Sequence, residues 1–393
     1  MSRRTVAIFA IAWMVVVVAV ASSAITIYAM GGAAQAGLSA QKYEQLDEVL
    51  RIIEERYYVE VEEDGLLEDA IRGAFSSLDP YSFYYSADEM AAMFEQTSGE
   101  YYGIGVLVTM DGEGGIAILR IYDGPARDAD LHEGDRIVAI DGTALSVNTS
   151  ADLTAATAMI KAETQTPVLL TIERDGEVFD VEVQRAQVEA NRTRHAILEN
   201  GIGYLEISEF FGDDVTGTRA ALDDFVASGV TKLVLDVRDN TGGDLNHVVQ
   251  IADMLLPEGV IVSVEDRYGN SQHYDSQESC YDLEMVVLVN GMSASATEIL
   301  AGALQDYDRA TVMGTQTFGK GVVQDVIQFE NGAGMQLTTM QYFRPSGEAV
   351  HEVGITPDII VEMDENYDPA NYEIDLENDN QLREAVKYLE SLS

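Results

Sequence analysis

The chain opens on an unbroken apolar run. Val6 to Met30 is 25 residues without a charge, preceded by Arg3 and Arg4 and followed by no further charge until Lys42. As a helix rising 1.5 Å per residue it extends about 37 Å, enough to cross a bilayer core of about 30 Å with some tilt. The basic flank on its amino-terminal side predicts residue 1 in the cytoplasm and the rest of the chain outside it. The alternative is a cleaved signal peptide, with Ala34-Gln35-Ala36 as the processing pattern.

Beyond that run the hydrophobic period changes three times. Over 43–98 it is helical: Leu46, Val49, Leu50 and Ile53 share one face, and Leu67, Ala70, Ile71 and Ala74 another. Leu78-Asp79-Pro80 ends the second helix, and Ser86 caps a third over 87–96. Over 99–186 short alternating strands are predicted around 103–108, 116–119 and 134–142, with a helix over 153–161. A hairpin over 168–183 turns on Asp175-Gly176. From Gly203 onward strands alternate with helices in the manner of an α/β core. Strands are expected at 204–207, 232–237, 284–289, 310–313 and 334–342, and helices at 213–227, 245–256 and 297–307. An acidic stretch and a last helix, 380–392, complete the chain. The boundaries drawn are 1–40 for the apolar leader, 41–98 for a helical domain, 99–186 for a β-rich module, 187–363 for the core and 364–393 for the tail.

Composition narrows the function. With 23 Lys plus Arg against 68 Asp plus Glu, the net charge is −45 and the pI about 4.1, so nucleic acid is excluded as a partner by repulsion from phosphate. The single cysteine, Cys280, forms no internal disulfide and is expected to be a small buried residue. No Cys/His spacing suggests a metal, and no cofactor is implied.

Three segments of the core carry candidate chemistry. Ser295, in Ser293-Ala294-Ser295-Ala296-Thr297-Glu298, lies between an apolar strand and a helix, where N–H groups and the helix dipole favour developing negative charge. The same residues also read as a capping box. Lys320, in Thr317-Phe318-Gly319-Lys320-Gly321, has little polar company, and burial lowers a lysine pKa towards the range of a general base. If 320–324 is a strand, Lys320, Val322 and Gln324 share a face, and Gln324 can bond the amine without adding charge. A surface lysine is the plainer reading. Gly242 and Gly243 end a buried strand, as suits either an oxyanion hole or an ordinary turn. In the β-rich module, Ile104, Gly105 and Val106 offer successive N–H groups for a peptide carboxylate. The five histidines have no G-x-S-x-G partner, which disfavours a Ser-His-Asp enzyme.

The order of these segments resembles the C-terminal processing (tail-specific) serine peptidases over roughly residues 43–390. The matching motifs are Leu78-Asp79-Pro80-Tyr81-Ser82, Tyr101-Tyr102-Gly103-Ile104-Gly105-Val106, Gly124-Pro125-Ala126, Gly134-Asp135-Arg136-Ile137 and 233–243, with the Ser295 and Lys320 segments. The resemblance implies a multidomain α+β and α/β protein: an N-terminal helical segment, a PDZ domain and an α/β peptidase core. It implies Ser295 as nucleophile, Lys320 as base 25 residues later, and Gln324 positioning the lysine. Ala296 with Gly242 or Gly243 would form the oxyanion hole, and Ile104, Gly105 and Val106 would bind the substrate's C-terminus. Departures are Thr297 for a serine, Asp239 and Thr241 beside Asn240, and Lys161-Ala162 where an arginine and glycine are expected.

The expected function is therefore a serine endopeptidase acting on polypeptides held by their C-termini. It is expected to be single-pass in the cell membrane with its catalytic part extracytoplasmic, or secreted after cleavage. The resemblance leaves room for a regulatory protein partner and a homo-oligomer. The alternative function is a catalytically idle, membrane-tethered PDZ receptor for protein C-termini.

Overall fold

The computed structural model describes residues 40–392 apart from 62, 99, 113, 123, 148–149, 163–164, 175, 190–191 and 365–373. The expected membrane span and the Ala34-Gln35-Ala36 pattern lie outside the described residues. Among the described residues no helix is long and apolar enough to cross a membrane. The chain divides into two compact units that meet between Ala74 and Phe75. The first contains the helix Ala40–Arg56 and nearly all of the helix Glu63–Phe75.

In the second unit, a six-stranded sheet carries the core. Its order is Thr193–Ile197, Gly203–Ile207, Lys232–Asp236, Glu284–Val289, Ala310–Gly314 and Ile359–Ile360; the first pair is antiparallel and the rest parallel. Strand alternation sorts its apolar residues onto two faces. Leu233, Leu235, Met285, Val287 and Val289 pack with the helices Asp214–Ala227, Leu245–Leu255 and Ala296–Asp306. Val234, Val286 and Leu288 face the other way, onto Leu382, Ala385, Val386 and Leu389 of the helix Asn380–Ser391. Both faces are covered, which is why these strands read as continuous apolar runs. Each fully buried aliphatic side chain contributes about 1.5–3 kcal/mol relative to exposure.

An ionic cluster fastens the last helix. Arg238 Nη2 lies 2.6 Å from Asp236 Oδ2 and 2.7 Å from Asp379 Oδ2, and Tyr204 donates to Asp236 at 2.9 Å. Burial opposes the guanidinium's charge, but the two carboxylates outweigh it and hold Arg238 protonated. Asp379 also caps that helix by accepting the Leu382 N–H.

A second sheet is built around one long strand. The strand Gly334–Phe343 pairs with Phe83–Tyr85, Gly259–Asp266 and Val322–Gln328, and Gly259–Asp266 pairs with Ser271–Ser276. The strands 83–85, 259–266 and 271–276 were not expected. The first is three residues long, and Ser271–Ser276 is mostly polar and exposed, so neither carries a period.

The β-rich module has its own core of Ile118, Ile137, Ile140, Leu170 and Ile172. Its sheet runs Val106–Met110, Ile116–Ile121, Arg136–Ile140, Pro167–Arg174, Glu177–Gln184, with Val106–Met110 at one edge. The helix Ser150–Ile160 ends on the buried Arg185 guanidinium, which donates to the carbonyls of Ile160 at 2.6 Å and Met159 at 2.7 Å. Chain segments on either side of the module pair with each other, Glu100–Gly103 against Ala186–Glu189.

Phe225 is fully buried against the sheet, and the added Cβ of a Gly203 substitution would meet its ring at 3.2 Å. Phe225→Ala should therefore lower stability by about 3–5 kcal/mol. The midpoint of urea unfolding checks this.

Candidate active site

Three loops leave the carboxyl ends of three adjacent parallel strands. Residues 237–243 follow Lys232–Asp236, 290–295 follow Glu284–Val289, and 315–321 follow Ala310–Gly314. Such ends are where open α/β sheets gather functional groups. The glycine turn, Ser295 and Lys320 come from these three loops, one each.

The first two loops are bonded to each other. The Asn240 carbonyl accepts the Ala294 N–H at 3.0 Å and the Thr297 hydroxyl at 2.8 Å, and Ser293 Oγ donates to the Val237 carbonyl at 2.8 Å. Thr297, the residue in place of the usual serine, thus keeps a hydroxyl where one is used. Asp239 and Asn290 are joined twice, N–H to Oδ1 at 3.0 Å and Nδ2 to Oδ1 at 2.9 Å. Asn240 is fully buried; its Nδ2 donates to the Ile207 carbonyl and its Oδ1 accepts the Gly242 N–H, both near hydrogen-bond ideal.

Ser295 has φ 58° and ψ −117°, a conformation costing a non-glycine residue about 1–3 kcal/mol. It stands at the N-terminus of the helix Ala296–Asp306 and is half-buried. The capping-box reading is borne out: the Ser295 side chain faces the Glu298 N–H, and Glu298 Oε2 accepts the Ser295 N–H at 2.8 Å. The Glu298 N–H also lies 2.9 Å from the Ser295 carbonyl.

Glu298 does more than cap. It is fully buried, and its second oxygen accepts the Thr317 hydroxyl at 2.6 Å and the Gly319 N–H at 2.7 Å, while Oε2 also accepts the Lys320 N–H at 2.9 Å. One carboxylate therefore ties the serine loop to the lysine loop. Tyr342, also buried, places its hydroxyl 2.9 Å from the Ser295 carbonyl and 2.7 Å from that of Lys320. Burial, reinforced by Glu298, holds this phenol well above the usual tyrosine range, so it remains a donor. Sequence reading missed both roles; a glutamate at S-x-x-E already has a sufficient local explanation, and Tyr342 sits in a strand.

Lys320 differs from expectation in one respect. It lies in the loop before the strand Val322–Gln328, and a register shift between Val323 and Gln324 breaks the alternation that would align the three side chains. Gly319, at φ 89°, and Gly321, where a Cβ would meet the His351 backbone N at 2.1 Å, explain the loop. The amine is half-buried over the Tyr81 ring, 4.8 Å from its centroid. Burial pushes it below the usual lysine range, against the opposing pull of Asp79 and then Glu298. Among the described residues no hydrogen bond joins Lys320 to Ser295 or to Gln324, whose amide donates instead to Thr338 Oγ1 at 3.1 Å.

The paired glycines divide their tasks. Gly242, φ 110°, abuts the serine loop: a Cβ there would lie 2.9 Å from Ser295 Cβ. Gly243 lies against Phe210, with which it forms a parallel bridge. In the β-rich module, the carbonyls of Ile104 and Gly105 accept the N–H groups of Ala126 and Tyr122, and Val106 opens the edge strand. Ala162, where a glycine is expected, donates its N–H to the Tyr102 carbonyl at 2.9 Å. Cys280 is partly exposed rather than buried, on the irregular stretch before Glu284–Val289.

A parallel-stranded core with this serine, lysine and glycine arrangement, joined to a module with a PDZ-type sheet, defines a class of peptidase. Family models agree: peptidase family S41 matches residues 201–361, the PDZ domain 102–184, and the activating protease CtpB N-terminal domain 10–89. The chain belongs to the C-terminal processing peptidases of family S41. It is 38% identical to the carboxy-terminal-processing protease of Bartonella bacilliformis over 84% of this chain and 77% of that one. A "Probable CtpA-like serine protease" of Staphylococcus aureus is 30% identical over 81% of this chain, which spans 64% of that relative's length. Among solved structures, the photosystem II D1 C-terminal processing protease superposes with a TM-score of 0.50 at 29% identity, covering 80% of this chain and 86% of that one.

Replacing one Glu298 oxygen with an amide would turn an NH₂ group towards two of the four donors. Glu298→Gln should cost about 3 kcal/mol, as buried donors lose their acceptor. Urea unfolding of the variant, beside wild type, measures it.

Proposed function

We propose that the chain is a serine endopeptidase with a Ser295–Lys320 dyad, recognising substrates by their C-termini through its PDZ domain. The observation that carries the reading is the Glu298 carboxylate, which binds the backbone N–H groups of both Ser295 and Lys320 and so holds the two loops in one site. For attack, the Lys320 side chain turns from Tyr81 towards Ser295. The neutral amine takes the Ser295 proton as Oγ bonds to the scissile carbonyl carbon. The resulting ammonium then gives its proton to the leaving amine, and an acyl-enzyme forms. Lys320 next removes a proton from water, which attacks the ester carbon; the acyl C–Oγ bond breaks, the ammonium returns its proton to Ser295 Oγ, and the acid product leaves. Gln324 acts by orienting the amine in the attacking arrangement.

For the oxyanion we assign the N–H groups of Ala296 and Gly243. Ala296 is the first residue of its helix, so its N–H has no intrahelical acceptor. The Gly242 N–H is already engaged by Asn240 Oδ1. Gly242 instead provides closeness, since any side chain there would press on Ser295.

The free edge of Val106–Met110 offers a place for an added peptide strand, with Ile104, Gly105 and Val106 at its start to receive the terminal carboxylate. Docking there raises the local concentration of the substrate near the dyad. The apolar run 6–30 tethers the enzyme, with its catalytic part outside the cytoplasm.

Degradation of an unstructured polypeptide with an apolar C-terminus tests the dyad. Ser295→Ala and Lys320→Arg should each reduce turnover by about ten-thousand-fold or more. A guanidinium does not deprotonate near neutral pH, so substantial activity in Lys320→Arg would remove lysine as the base. The same polypeptide with an amidated C-terminus should be processed several-fold more slowly at sub-saturating concentration; equal rates would refute carboxylate capture.

A further inference from the structure

The turn Leu78-Asp79-Pro80-Tyr81-Ser82 lies more than two hundred residues from the dyad in sequence, yet it touches both Lys320 and the residue bonded to Gln324. Its conformation is closely determined. Asp79 Oδ1 accepts the Tyr81 N–H at 2.9 Å and Asp79 Oδ2 the Ser82 hydroxyl at 2.9 Å. Two further bonds fix the turn to the strand Gly334–Phe343: the Thr338 N–H donates to Ser82 Oγ at 3.0 Å, and Gln336 Nε2 to the Tyr81 carbonyl at 3.0 Å. The pairing of Phe83–Tyr85 with the start of that strand continues the attachment. Tyr81 therefore presents its ring in a set place, and the Lys320 amine lies over it.

A chain of polar groups runs beside this contact. Gln324 Nε2 donates to Thr338 Oγ1, and Thr338 Oγ1 donates to Asp79 Oδ1 at 3.0 Å. Asp79 is thus the final acceptor for the amide that follows the general base. Burial raises the carboxyl's pKa, but the hydrogen bonds from Tyr81, Ser82 and Thr338 outweigh it and keep Asp79 ionised below the ordinary range.

We propose that Asp79 and Tyr81 are positioning residues for the Lys320 amine: the carboxylate and the ring face together stabilise its ammonium form, and Asp79 anchors Gln324 through Thr338. This rests on Lys320 being the general base. The other groups that face the lysine segment do not substitute for them. Glu298, from the helix Ala296–Asp306, carries four hydrogen bonds from Ser295, Thr317, Gly319 and the Lys320 backbone. Tyr342, from the long strand, is a neutral phenol serving the carbonyls of Ser295 and Lys320. His351, behind Gly321, meets the loop through its backbone. Of the two carboxylates that favour the ammonium, Asp79 acts more strongly than Glu298. A cation over an aromatic face is likewise favoured over the neutral amine.

The consequence is a pH effect with a definite sign. Lys320 works when neutral, so kcat/KM rises with pH as the amine loses its proton, and that limb reports the free enzyme. Removing the Asp79 charge or the Tyr81 ring destabilises the ammonium and moves the limb to lower pH. The experiment is the pH profile of kcat/KM for an unstructured polypeptide, measured on the full chain as wild type, Asp79→Asn and Tyr81→Leu. Tyr81→Leu leaves the hydrogen-bonded turn in place and carries the test if Asp79→Asn does not fold. The expected result in both variants is a limb displaced downwards, so that below the wild-type midpoint the fraction of plateau activity rises several-fold; in Asp79→Asn, where Gln324 loses its anchor, the plateau also falls. A lower plateau with an unmoved limb in the folded variants would mean a purely structural turn and would overturn the proposal. Lys320→Arg is run alongside: activity surviving there would overturn the dyad itself, whereas an inactive Lys320→Arg with unmoved limbs overturns only the positioning role.

Discussion

The site depends on one buried carboxylate. The Ser295 and Lys320 loops sprout from neighbouring strands, and nothing in a parallel sheet obliges their tips to keep a fixed separation. Glu298 supplies that obligation by accepting two donors on each oxygen, from the serine on one side and from the lysine segment on the other. Burying a carboxylate is costly unless its acceptor capacity is filled, so the arrangement is all or nothing. The same bonds stabilise the unfavourable backbone of Ser295, which exposes its side chain at the helix N-terminus.

Tyr342 and Asn240 extend this constraint to either side. Tyr342 bridges the carbonyls of Ser295 and Lys320 from the sheet that contains Gly334–Phe343. Asn240 bonds the glycine turn to the strand Gly203–Ile207 and to the serine loop. The site is thus referenced to both sheets, and the Arg238 cluster, directly before the turn, refers it further to the C-terminal helix.

Much of this was legible beforehand because it is local. The strands of the core are apolar runs bounded by turn residues, and a parallel sheet covered on both faces produces such runs. Ser295, Lys320 and the paired glycines stood out by order and spacing. What escaped was long-range or ambiguous. Glu298 satisfied a local rule and hid its longer reach. The shared face of Lys320, Val322 and Gln324 was conditional on a strand over 320–324; the strand starts at Val322, and the register shift at Val323 and Gln324 is invisible in a Val-rich pattern. Thr338 and Asp79 are joined across more than two hundred residues, and no periodicity reports such a bond. Ser271–Ser276 escaped for the opposite reason, being too polar to announce a strand.

The pairing of Glu100–Gly103 with Ala186–Glu189 gives the PDZ domain the topology of an insertion on a stalk. Paired residues on adjacent strands lie about 5 Å apart, so the two ends of the insertion leave and return at nearly one point. A parent chain could exchange everything beyond that stalk for a short turn, or for a different module, without cutting any strand of the six-stranded sheet. The inserted module and the α/β core are in this sense separately heritable parts of one polypeptide.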